Sequence, residues 1–330
     1  MSVRKIMLGV AAGALGLGAL LFSRGKERPE PASSQRPGWV RATALASGVD
    51  HPLGLAVDGD YVYFVSGGFA NAENAVRRVH TTGGSVETLA KVEQLVSGEL
   101  VVDSDYVYFT SEWGNTVLRV PKNGGAATVL AQAPAPTFLA ADASHVYFVT
   151  FAKQEPGGTV QRVPKTGGPA EVLVSGHPGL DNLVVDDRDV FFRSNKGLWR
   201  VAKAGGAAQN ILPRSERQNV GRLAADAAYL YFFLETSSSG KYAVARLSKN
   251  GGAPETIGPI GNPTARLALS DSHVYFFREA NLTEDALAKV PKAGGPAETV
   301  DGSGHSTGHL TVVGGNVYFT DINTVYRAPK

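Results

Sequence analysis

The sequence predicts an all-β fold, a seven-bladed β-propeller of four-stranded antiparallel blades whose ring is closed by an N-terminal outer strand completing the last blade. Three observations predict it. A Val-Tyr-Phe-like triplet recurs seven times; most copies are followed by an Arg-Val-x-Lys segment or a variant of it and a Gly-Gly pair; and the seventh copy stops at Lys330, one strand short. The triplets begin at Val62, Val107, Val146, Val190, Leu230, Val274 and Val317, at spacings of 45, 39, 44, 40, 44 and 43 residues, which is the period of a propeller blade.

The unit is clearest in residues 100–130, LVVDSDYVYFTSEWGNTVLRVPKNGGAATVL. Apolar runs closed by Asp, Gly or Asn turns give four strands within about 40 residues, too few to bury a core alone, so the copies must stack. An inner strand such as Leu183-Val184-Val185-Asp186 precedes each triplet. Gly-Gly pairs beginning at Gly83, Gly124, Gly167, Gly205, Gly251 and Gly294 turn the chain into the outer strand. Fourteen of the 25 Tyr and Phe residues lie in the triplets, so these repeated aromatics are read as core and not as a ligand-stacking surface.

Residues 1–23 read as a signal peptide or an N-terminal membrane anchor: Arg4 and Lys5 precede an uncharged run over residues 6–22. That run would reach roughly 25 Å as a helix, a little short of the ~30 Å hydrocarbon layer, and the Leu21 and Ser23 positions match an A-x-A cleavage site poorly. Either fate puts the body outside the cytoplasm, periplasmic or secreted, with a possible membrane tether through residues 6–22. Residues 24–38, rich in Pro, Ser and charge, read as a flexible linker, and residues 39–330 as the propeller. Ala44-Leu45-Ala46-Ser47-Gly48 resembles Val172-Leu173-Val174-Ser175-Gly176, an outer strand, yet has no inner strands before it. It is therefore assigned to the seventh blade, where it removes an exposed sheet edge. A closed ring of this kind is expected to be a monomer.

The formal charge is +2, but residues 1–37 hold six Lys or Arg against two Glu, which leaves about −2 for the propeller. Such a surface does not suit a phosphate backbone, and nucleic acid is excluded as an expected partner. With no cysteine there is no disulfide framework, thiolate metal site or lipobox.

The Asp four residues before the triplet (Asp58, Asp103, Asp142, Asp186, Asp226) forms acidic pairs such as Asp103-Ser104-Asp105 that a divalent cation would suit. Its recurrence in five copies, with Ser270 and Val313 in the other two, reads instead as an Asx cap on a tight turn, so no metal site and no cofactor is assigned. Gly304-His305-Ser306-Thr307-Gly308 matches the G-x-S-x-G nucleophile elbow, but its flanks are a propeller loop and an inner strand, not a strand-to-helix turn. It is read as a connecting loop. The histidines His51, His80, His145, His177 and His273 show no ligand spacing.

The informative column is the residue just before each inner strand's leading Leu, because the repeat brings these seven positions to one mouth of the central channel. They read Gly54, Glu99, Phe138, Asn182, Arg222, Arg266 and His309. A purely structural column would repeat itself as the triplets do; this one varies, as binding positions on a fixed scaffold do. Glu99, Asn182, Arg222, Arg266 and His309 are the candidate ligand-binding residues, the arginines for a carboxylate or phosphate. Glu99 and His309 are the candidate catalytic pair, should they approach one another. Beside the mouth lie the loops after the triplets, where Phe69, Trp113 and Phe151 break the repeat; Trp113 is the aromatic expected to be exposed for contact.

The pattern L-x-x-D-x-x-x-V-Y-F followed by R-V-x-K-x-G-G resembles the bacterial propeller repeats akin to the NHL, YWTD and SMP-30/lactonase-like groups, and Tyr318-Phe319-Thr320-Asp321 looks like a YWTD tetrad. The resemblance spans residues 40–330 and implies the fold. Members of such groups include extracellular binding modules, lactonases, and seven-bladed streptogramin B lyases that use a metal, a His and acidic residues; no matched metal constellation is present here, so no catalytic residues carry over. The expected function is an exported module binding a protein, peptide or glycan on the loop face around the channel. The alternative is a lyase or lactonase-like enzyme at the same mouth. Glu99 and His309 side chains within about 4 Å beside an apolar pocket would favour chemistry. An exposed apolar patch on the blade sides would favour a structural assembly protein.

Overall fold

A computed structural model describes residues 41–330 apart from 68–72, 94–96, 152–156, 215–219, 238–240, 259–265, 280–284 and 306–307. The leader and linker thus lie outside the described residues, as does Phe69. Among the described residues no helix is long and apolar enough to cross a membrane.

The strands form seven four-stranded antiparallel sheets. Six are consecutive in sequence, and the seventh pairs the N-terminal strand Thr43–Ser47 with Thr324–Pro329, Asn316–Thr320 and Leu310–Val313. Head therefore meets tail: Thr43 faces Arg327 and Ser47 faces Thr324. We number the blades 1 to 7 from their inner strands, Leu53–Asp58, Ser97–Val102, Pro136–Ala141, Asn182–Val185, Val220–Ala225, Leu267–Leu269 and Leu310–Val313.

The triplets are the core. Each alternates its side chains between the two faces of the sheet, and the Phe closing each triplet, from Phe64 to Phe319, is 0% exposed. The apolar clusters lie between blades: Phe64 and Val62 of blade 1 pack with Leu45, Tyr318 and Val325 across the closure.

The Arg-Val-x-Lys segment has a role its spacing alone does not reveal, since it stitches each blade to a neighbour. Its Lys pairs with the capping Asp of the preceding blade: Lys165 with Asp103 at 2.9 Å, Lys203 with Asp142 at 2.7 Å, Lys249 with Asp186 at 2.7 Å and Lys292 with Asp226 at 2.8 Å, and likewise Lys122 with Asp58. Its Arg reaches the other way, donating to the backbone carbonyl of the next blade's Lys, as Arg162 does to Lys203 at 2.7 Å and Arg246 to Lys292 at 2.7 Å. At the closure Arg327 donates to the Thr81 carbonyl at 3.1 Å, so the seam is sewn like the other joints. Thr81 stands where a Lys would, and the Asp it would have met is Val313; both members of the pair are lost together. The Gly-Gly turns make this closeness possible: Gly124 takes φ 85°, and a Cβ there would lie 3.3 Å from the Leu89 carbonyl of blade 1.

The capping Asp works as its recurrence implies. Asp103 Oδ1 accepts the N–H of Asp105 at 3.0 Å and of Tyr106 at 2.8 Å, while Oδ2 accepts the Tyr108 hydroxyl at 2.9 Å. Burial pushes this carboxyl up, but Lys165, the two N–H groups and Tyr108 outweigh it and hold it at about 2. Asp226 is held at about 2 by Lys292 and its own turn, and Asp142 and Asp186 are lowered in the same way. A carboxyl whose folded pKa lies below its unfolded value stabilises fully above the unfolded pKa and loses that contribution as pH falls through the folded one. Stability is therefore expected to be level above about pH 5 and to drop between about pH 4 and pH 2, as read by thermal melts across that range. Lys203→Met together with Asp142→Leu should make the drop shallower.

Candidate functional site

Each inner strand starts on the face that carries the loops after the triplets and ends at the capping Asp on the opposite face, so the candidate column lies at the loop-face mouth. In blades 1, 2, 3 and 5 the first residues of these strands are bulged: the register shifts between Leu53 and Ala56, Ser97 and Leu100, Thr137 and Leu139, and Val220 and Leu223. A bulge re-aims a side chain away from the ladder. Gly54 takes φ 66° there, and Phe138 takes φ 46° at the same place in blade 3. Glycine adopts that left-handed conformation freely, whereas an aromatic held in it costs on the order of 1 kcal/mol.

At this mouth three charged side chains converge, two from neighbouring blades and one from across the axis. Glu99 of blade 2 accepts hydrogen bonds on Oε1 from Arg266 Nη2 of blade 6 at 2.7 Å and from Arg222 Nη1 of blade 5 at 3.3 Å. In a ring of seven, blade 2 faces blades 5 and 6 across the axis, so the bridge spans the channel. The Arg222 guanidinium also lies 5.1 Å above the Phe138 ring of blade 3. Burial first, and Arg266 next, lower Arg222 to about 10 against the pull of Glu99, which leaves it charged at neutral pH. His309 belongs to the same group: burial and the two guanidinium groups hold it well below the ordinary imidazole range, so it is neutral. Its backbone N–H donates to Thr320 Oγ1 at 3.0 Å.

The sequence column is thus brought together in part. Glu99, Phe138, Arg222, Arg266 and His309 form one electrostatic cluster. The Glu99 Oε1 is taken by the two arginines, and among the described residues Glu99 makes no hydrogen bond to His309, its candidate catalytic partner. Asn182 is buried at 6% exposure, and its Oδ1 has no partner among the described residues. Next to it Asp181 holds Arg193, whose Nε donates to Asp181 Oδ1 at 2.6 Å. Sequence reasoning missed that pair and the Phe138 platform, although Phe138 stood in the right column. Trp113 is 71% exposed, and Phe151 and Ile322 are exposed on loops of the same face.

At the capping-Asp end lies a space of about 500 Å³, lined by inner-strand residues of blades 1, 2, 3 and 7 such as Val57, Val102, Ala141 and Thr311. Among the described residues no group of three or more His, Asp or Glu is arranged to hold a metal ion. Strand Glu298–His305 carries the start of the G-x-S-x-G match, and Ser306 and Thr307 lie outside the described residues.

No protein-family profile matches the sequence, and no curated protein matches it. Solved structures do match. An oligogalacturonate lyase from Vibrio parahaemolyticus is similar at 13% identity with a TM-score of 0.64, over 88% of this chain and 91% of that one. YCF48 from Cyanidioschyzon merolae is similar at 11% identity with a TM-score of 0.63, over 88% of this chain and 99% of the other. A puromycin hydrolase is similar at 16% identity with a TM-score of 0.65, over 86% of this chain; the match spans about half, 53%, of its length. The chain is a seven-bladed β-propeller. At these identities the shared property is the fold.

Proposed function

We propose that this propeller is an exported binding module whose channel mouth takes up a carboxylate from an acidic segment of a partner protein or peptide. The observation that carries the reading is the pair Arg222 and Arg266, drawn from neighbouring blades to a single point and already gathered around a carboxylate oxygen. A guanidinium has five donors in a planar fork that matches a carboxylate, and Arg222 uses one of them. Trp113, Phe151 and Ile322 on the same face offer apolar contact to residues flanking the acidic one. The leader, Arg4 and Lys5 followed by an uncharged apolar run over residues 6–22, supports export, with or without a lasting tether, and the closed ring supports a monomer. Among solved propellers one is named a lyase and another a hydrolase, so the fold is shared by enzymes and leaves activity open.

A second reading, a lyase or lactonase-like enzyme, is favoured by His309, a neutral imidazole beside two guanidinium groups that can accept a proton while the arginines hold a substrate carboxylate.

The full chain titrated with poly-L-glutamate, polygalacturonate and poly-L-lysine in a calorimeter separates these readings. Saturable binding of poly-L-glutamate, with weaker uptake of polygalacturonate and none of poly-L-lysine, is expected. Preference for polygalacturonate would move the ligand to the glycans, and release of unsaturated product from it would make the protein an enzyme. Binding of poly-L-lysine alone would contradict the carboxylate site.

A further inference from the structure

We propose that Glu99 is a built-in occupant of the arginine pair, a latch across the channel that a ligand carboxylate displaces; the inference rests on the reading of the mouth as a carboxylate site. Glu99 fills that site poorly. Its Oε1 serves both arginines while Oε2 makes no hydrogen bond among the described residues, so neither contact is the two-bond fork that a carboxylate and a guanidinium form when free to align. The Arg222 bond is long at 3.3 Å, and its Nε and Nη2 have no partner among the described residues although the side chain is only 33% exposed.

A second, independent feature points the same way. Three buried side-chain polar atoms have no partner among the described residues: Thr137 Oγ1, His177 Nδ1 and Asn182 Oδ1. Thr137 and Asn182 open the inner strands of blades 3 and 4 at the loop face, whereas His177 ends the outer strand of blade 3, against Trp199. Arg222, rooted in blade 5, crosses blade 4 to reach the Phe138 ring of blade 3, so it passes over this sector. Buried polar groups without partners are costly, and natural proteins keep few of them. Here two of the three, Thr137 and Asn182, stand at or beside the column positions of blades 3 and 4, toward which Arg222 reaches. The latched arrangement thus leaves Arg222 donors and the Thr137 and Asn182 oxygens unmet among the described residues, and an untethered carboxylate with a neighbouring N–H or O–H offers partners to both. Phe138 fits this account as a positioning residue: it endures φ 46°, where Gly54 would be at ease, and supplies the platform on which Arg222 rests once Glu99 has left.

The consequence is a displacement site. Apparent affinity is reduced by the fraction of molecules in which the latch is closed, and removing the latch restores it. Glu99→Gln keeps the shape and removes the competing charge, so the Kd for poly-L-glutamate is expected to fall by about tenfold or more relative to the wild-type full chain. Arg222→Ala added to Glu99→Gln should abolish the gain. Glu99→Ala, with its melting temperature recorded, repeats the measurement in a second background. Hydrogen exchange gives a readout independent of affinity: ligand should speed exchange at residues 97–100 in the wild type and leave it unchanged in Glu99→Gln. Unchanged or weakened binding in both Glu99 variants, with Arg222→Ala still losing it, would overturn the latch and leave the carboxylate site standing. Failure of every variant and of the wild type to bind poly-L-glutamate would overturn both.

Discussion

A chain beginning at residue 49 is expected to lose its cooperative unfolding transition, whereas one beginning at residue 39 keeps it. The difference is the strand Thr43–Ser47, which covers the edge of Thr324–Pro329 and buries Leu45 and Ala46 at 4% and 7% exposure. Without it Phe64, Val62, Tyr318 and Val325 lose the residues that cap their cluster. Burying one Leu contributes about 2 to 3 kcal/mol and each ladder hydrogen bond about 1 kcal/mol, so the strand supplies a sizeable part of the roughly 5 to 15 kcal/mol that holds a domain folded. The opened ring also presents an unpaired apolar edge, which favours association. Calorimetric melts and light scattering of the two truncations check this. A normal, reversible melt for the chain starting at residue 49 would mean that head-to-tail pairing is incidental to the fold.

The second large effect is expected in binding. Replacing both Arg222 and Arg266 by Ala should remove carboxylate binding altogether, a loss of at least about a hundredfold, since each charge-assisted hydrogen bond contributes about 1.5 to 3 kcal/mol. Lysine in place of each should restore little, because an ammonium keeps the charge and lacks the planar fork. The double substitution also leaves Glu99 without either of its partners. Its melting temperature separates lost binding from lost fold. Full recovery by lysine would show that only charge matters at the mouth, contrary to the forked recognition argued from the geometry.

Much of this architecture was legible because a repeat displays its rules several times over. The triplets at Val62, Val107 and their equivalents marked the core, and the unfinished seventh copy together with Ala44-Leu45-Ala46 marked the closure. The Asp that recurs before the triplets declared itself a turn cap, and Asp103 does accept the expected backbone N–H groups. The interblade Lys was legible too, had Thr81 and Val313 been read together: one joint lacks both the cation and the anion. The mouth was legible only as a column. Which of its members meet depends on side-chain reach across the axis, and Glu99 lies 123 residues from Arg222 and 167 from Arg266. No local pattern encodes such a contact. His309 stood in the column as an acid or base, and it is its burial, with the two guanidinium groups beside it, that holds it well below the ordinary imidazole range. Phe138 carried no sign of its left-handed backbone in its own identity; the sign was Gly54 at the equivalent place.

The most direct test of the mouth as a carboxylate site is an NMR titration of the full chain that follows the arginine Nε–H resonances, assigned by Arg222→Lys and Arg266→Lys, as poly-L-glutamate is added. The resonances of Arg222 and Arg266 are expected to shift together and saturate with the same midpoint, while those of the interblade arginines such as Arg162 and Arg246 stay in place. Shifts confined to other arginines, or none at Arg222 and Arg266 while the probe binds, would contradict the account.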